Sequence, residues 1–253
     1  MAKAEPQSDW QAIFDQEVIF RDKCWETCGG GYCCKPSRVQ RHLSLLRTEG
    51  VELPLLPGEH RFLKDGGFLQ SGFEDAMSRH EVKAREDVVF PVYRTVCNLD
   101  GLCSNHSYRP MVCRLYPWAP VPTADGKLAG LEPMAVIDQF WDLIEGASDP
   151  CTVGAMTDVE HQAFSKVSLE LFSDPVNVFY LGAASIFKNA IRAGVKAAPP
   201  HLLSKGEGAF FSTWEKLLVF GQLYKPAKVL EDIATWHDEV AAHWGDAFSL
   251  RSL

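Results

Sequence analysis

The chain has 253 residues, of which 46% are apolar and 23% charged, an ordinary balance for a soluble globular protein with room for one large domain or two small ones. Its net charge of −8 is uneven: residues 1–120 carry 15 Lys and Arg against 16 Asp and Glu, and residues 121–253 carry 10 against 17. No basic stripe is present that could neutralise phosphates, so charge excludes a nucleic-acid partner.

In chain order, Met1 to Gln11 is polar and mixed in charge, without the apolar run of an export signal, and a cytoplasmic chain is expected. Four cysteines then fall within eleven residues, Cys24, Cys28, Cys33 and Cys34, threaded through Gly29, Gly30 and Gly31. Val39, Leu43 and Leu46, closed by Gly50, predict a helix from Ser37 to Gly50, and a second is expected from Pro57 to Lys64. Strand-like runs follow at Val88 to Val96 and Leu128 to Ile137, with Ala119 to Gly130 read as a loop or hairpin joining the halves.

The remainder reads as helices. One is expected from Pro133 or Met134 to Glu145, and one from Thr157, with Glu160 completing a capping box, to about Phe172. Pro175 to about Val195 is a third, and its apolar stretch Val176 to Phe187 is too short to span a membrane. Ala209 to Leu223 and Ala227 to Trp244 place Phe210, Trp214, Leu217, Val229, Ile233, Trp236 and Val240 on apolar faces. The fold class expected is α+β, predominantly α, with an irregular cysteine-rich domain over 1–155 packed on a helical domain over 156–253.

The other cysteines are Cys97, Cys103, Cys113 and Cys151, so all eight lie in the first 151 residues. Cytoplasmic thiols are kept reduced, and a deprotonated thiol is a soft metal ligand, so the set points to a metal or iron–sulfur site rather than to disulfides. Cys24 and Cys28 are four apart, which puts both thiols on one side of a helical turn, and the glycines let the backbone fold back tightly. Cys97 and Cys103 flank the Asp100-Gly101 turn signal and resemble a knuckle. Neighbouring side chains diverge, so Cys33 and Cys34 serve different metals or one of them is a packed bystander. Eight thiolates make two four-thiolate sites, or one cluster with four spare cysteines; isolated Cys151 also fits plain burial.

Cys24 to Cys34, Leu55 to Glu59 (Leu-Leu-Pro-Gly-Glu), Cys97 to Cys103 and Arg109 to Pro117 (Arg-Pro-x-x-Cys-Arg-x-Tyr-Pro) together resemble the cysteine-cluster family of YkgJ type, a zinc- or iron-chelating module. The resemblance covers roughly residues 20 to 155 and departs in spacing: three residues separate Cys24 from Cys28, and four separate Cys28 from Cys33. That family is marked by eight cysteines, which makes Cys151 the expected last ligand. Flagellin lysine N-methylases are similar over the same module and are associated with a 4Fe–4S cluster. The resemblance therefore implies an iron–sulfur cluster, of 4Fe–4S type, ahead of zinc.

Arg109 and Arg114 bracket Cys113 and are candidates to donate hydrogen bonds to the cluster or offset its charge; salt bridges to carboxylates would explain them equally. His106 is read as a surface group, or one standing just behind the ligands, rather than a ligand itself, and Tyr116 and Trp118 as a shield for the site or plain core. His237, Asp238 and Glu239 splay around their helix and read as a solvated face. No phosphate loop, dinucleotide fingerprint or nucleophile elbow is present, and no catalytic residue is assigned. The expected function is a metalloprotein acting with a protein partner in electron transfer or protein modification. The alternatives are a structural zinc module and a protein-lysine N-methyltransferase.

Overall fold

The computed structural model describes residues 8–16, 39, 41–46, 51–66, 78–97, 108–147, 151, 156–199 and 206–250. About 56% of them are helical, with two small antiparallel sheets, which makes the described chain α+β and helix-rich.

The first element, α1 (Trp10–Asp15), starts where the Asp9 carboxylate accepts the Ala12 N–H at 3.0 Å, and it buries Trp10, Ile13 and Phe14. Three strands follow, β1 (Val51–Leu55), β2 (Ser78–Arg85) and β3 (Val88–Cys97), in the order β1-β3-β2. Between the first two lies α2 (Pro57–Asp65), with Pro57 in its first turn, where a missing N–H costs nothing. A five-residue helix, α3 (Met111–Leu115), leads into the hairpin β4 (Trp118–Pro122) and β5 (Leu128–Pro133). Of the two forms expected over Ala119 to Gly130, loop or hairpin, the chain adopts the hairpin, whose turn needs Gly126 at φ 77°.

Four helices complete the fold. They are α4 (Asp158–Leu171), α5 (Pro175–Ala197), α6 (Glu207–Val219) and α7 (Pro226–Trp244); α4 and α7 lie within one residue of the expected bounds, α5 runs two residues further, and α6 starts two residues earlier and ends four earlier. The Thr157 capping box forms as expected: Thr157 Oγ1 accepts the Glu160 N–H at 3.3 Å, and Glu160 accepts the Thr157 N–H at 2.6 Å.

The helix expected from Ser37 to Gly50 is described only at 39, which is helical, and at 41–46, the rest of it lying outside the described residues; the helix expected at 133–145 differs. Over 41–46 the chain makes a turn followed by bends, because the N–H groups of Ser44, Leu45 and Leu46 donate to the Glu215 carboxylate on α6 rather than to carbonyls one turn back. The expected helix at 133–145 is replaced by the end of β5 and two short 3₁₀ turns, Val136–Gln139 and Trp141–Leu143. Pro133 stays in the ladder opposite Trp118, and the 3₁₀ turns bury Phe140, Trp141 and Ile144. For the same reason β5 ends short of Ile137.

One buried apolar cluster joins Trp10, Phe14, Leu63, Phe90 and Leu115 to Phe164, Leu171, Phe179 and Val240, so residues on both sides of 155/156 share a core. A second gathers Val39, Phe140, Trp141 and Ile191 with Phe210, Phe211 and Trp214 of α6. Buried Lys188 ties α5 to the β4–β5 hairpin, pairing with Glu132 at 2.6 Å and donating to Pro133 O at 3.0 Å. At the other end Arg85 grips Asp238 of α7 with two bonds of 2.7 and 2.8 Å. Asp238 is therefore an ion-pair partner rather than merely solvated, and His237 packs on the Phe179 and Phe248 rings.

Candidate metal centre

Three of the eight expected ligands fall among the described residues. Cys97 is the last residue of β3 and pairs in the ladder with Val51 of β1. Cys113 lies in α3, half-buried, its N–H donating to Pro110 O at 2.8 Å. Cys151 is half-buried ahead of α4. Cys24, Cys28, Cys33, Cys34 and Cys103 lie outside the described residues, as does His106.

β1 connects two of these positions. It pairs with β3, whose last residue is Cys97, and α3 packs against it. The chain thus brings the elements bearing Cys97 and Cys113 onto a common strand. Among the described residues, no group of three or more His, Cys, Asp or Glu side chains is placed to hold a metal ion.

What holds α3 is unusual for so short a helix. Glu59, only 1% exposed, sits in the first turn of α2 and accepts two backbone N–H groups, Leu56 at 3.0 Å and Met111 at 2.5 Å. The first bond caps α2; the second reaches across 52 positions to the start of α3. Burial dominates the carboxyl's chemistry and pushes its pKa up to about 7, against the two N–H donors and the Arg114 charge.

At the other end of α3, buried Arg114 donates to Phe14 O at 3.0 Å and to Gln16 O, with its guanidinium 5.2 Å from the Phe14 ring centroid. These two acceptors are backbone carbonyls at the C-terminal end of α1. Arg109 is half-buried beside Pro110. Tyr116 packs against the second core cluster and Trp118 against the first.

A second buried carboxylate works in the same way. Glu215, fully buried on α6, accepts the N–H groups of Ser44, Leu45 and Leu46 at 2.8, 2.6 and 2.6 Å and the Ser44 hydroxyl at 3.1 Å. Burial pushes this carboxyl up, but the donors outweigh it and leave the pKa below the ordinary value. Val39 packs into the core beneath the same helix. The chain on either side of the first cysteine group is therefore fastened at described positions, at Phe14 and Gln16 before it and at 39 and 44–46 after it.

Sequence reasoning assigned neither glutamate. For Glu59 a partial signal existed, since Pro57 followed by Glu59 is the composition of a helix start. For Glu215 there is none, because its partners lie about 170 positions away.

The comparisons add no relative to this picture. No family model matches the chain, and neither a curated protein nor a solved structure matches it.

Proposed function

We propose that the chain is a cysteine-cluster metalloprotein whose thiolates hold an iron–sulfur cluster, of 4Fe–4S type, in its first 155 residues. The observation that carries this reading is the concentration of all eight cysteines in the first 151 residues, in a pattern similar to the YkgJ-type module. Soft thiolate sulfur is the donor that such clusters demand, so the chemistry of the ligand set fits the group. The structure supports the reading in one respect: the elements bearing Cys97 and Cys113 both rest on β1, and α3 is fixed at both ends by buried charged groups.

The ligands would come from Cys24, Cys28, Cys33, Cys34, Cys97, Cys103, Cys113 and Cys151. A bound cluster supplies one-electron redox chemistry, which suits electron transfer to, or modification of, a protein partner. What the chain's own described residues do is hold α3 in place and fasten the chain before and after the first cysteine group.

Anaerobic purification followed by iron, inorganic sulfide and visible-absorption measurements tests this. Stoichiometric iron and sulfide with a colour that bleaches on reduction is expected. A colourless protein with stoichiometric zinc and no sulfide replaces the cluster with a structural zinc site; no metal at all ends both readings.

A further inference from the structure

Among buried carboxylates, Glu59 holds more than its own helix requires. The cap of α2 is complete once Oε2 accepts the Leu56 N–H. The bond from Oε1 to the Met111 N–H serves a different element, and it lands two residues before Cys113. A helix of five residues has almost no internal hydrogen bonding, so α3 keeps its place only through what grips it from outside. Glu59 grips its first residue and Arg114 its fourth. Met111, Arg114 and Leu115 are buried by this arrangement, while Val112 and Cys113 stay half-buried.

A carboxylate in such a place is costly for the fold. Among the described residues no cation is in direct contact with it, so burial opposes its charge, and an apolar side chain of similar volume would serve stability as well. What an apolar side chain would not supply is an acceptor shared between two helix starts, with a fixed separation between them.

We infer that Glu59 is a positioning residue for Cys113, setting the place of α3 on β1 and hence where this thiol stands relative to the other ligands. The inference rests on the reading of Cys113 as a ligand. Glu59 touches no metal in this scheme; it acts through the Met111 backbone.

The full-length protein carrying Glu59→Gln tests it, since glutamine keeps the shape and one of the two acceptors, and the chain is expected to fold. Two rates are measured: alkylation of Cys113 by iodoacetamide in metal-free protein, resolved by peptide mapping, and loss of metal to a chelator from loaded protein. The control is Glu132→Gln, which breaks a buried pair with Lys188 away from α3. At about pH 8, where the Glu59 carboxyl is ionised, both rates are expected to rise about tenfold or more in Glu59→Gln, the factor that loss of one charge-assisted hydrogen bond implies, and to stay near wild type in Glu132→Gln. If both variants raise the two rates in proportion to their loss of thermal stability, Glu59 is a plain structural group and the inference is overturned. If wild-type protein takes up neither iron nor zinc, it is the metal reading that falls, while the alkylation comparison still decides whether Glu59 controls Cys113.

Discussion

Glu59 and Glu215 are both buried glutamates that accept backbone N–H groups, yet their acidities move in opposite directions. Glu215 collects three N–H donors and a hydroxyl, enough to outweigh its burial, whereas Glu59 has two donors and does not. The consequence for Glu59 is a dependence of stability on pH. Its carboxyl holds a proton up to about 7 in the folded chain against an ordinary 4.5 when unfolded. Between those values the folded state binds more protons, so stability falls as pH rises through the window, by roughly 3 kcal/mol in all. Denaturant unfolding of wild type and Glu59→Gln at about pH 5 and about pH 8 isolates this contribution, because other titrations cancel in the difference. The wild type is expected to lose more stability than the variant on going to the higher pH. Equal losses in the two proteins would show that Glu59 keeps an ordinary acidity.

Among the elements, α4 to α7 were legible because each carries an apolar stripe with helical spacing and starts with Thr157, a proline or a glycine boundary. The strands β1 and β2 were not. In Ser78–Arg85 only Val82 and Ala84 are apolar, because the strand lies at a sheet edge with one half-covered face, and Val51–Leu55 is a short edge strand carrying Pro54. The turn at 41–46 and the 3₁₀ segments failed for another reason: apolar spacing suggested helix, but long-range partners took the backbone groups. Helix packing gives a test of its own. Gly182 of α5 lies against the Trp236 indole of α7, whose Nε1 donates to Phe179 O at 3.2 Å, so a methyl group there would overlap the ring. Gly182→Ala is expected to cost about 1–3 kcal/mol in urea unfolding, despite alanine's better helix propensity. A stability equal to or above wild type would mean that α5 and α7 are not packed this closely.

At the scale of the whole molecule, described residues from both halves contribute to one core, and Arg114 and Glu215 fasten the chain before and after the first cysteine group. The cysteine pattern itself was plain in the sequence, because thiols are few and their crowding has little meaning outside metal or disulfide chemistry. The supports beneath Cys113 were not, since Glu59 meets Met111 only once the chain has closed a separation of 52 positions. An iron–sulfur centre requires those sulfurs to share inorganic ions, and the most direct measurement is the mass of the intact protein, purified without oxygen and sprayed under non-denaturing conditions. The mass is expected to exceed that of the 28.2 kDa polypeptide by iron together with inorganic sulfide, an excess that disappears on acid treatment. A native mass equal to the bare chain, or lowered by the hydrogens lost to cystines, would contradict it.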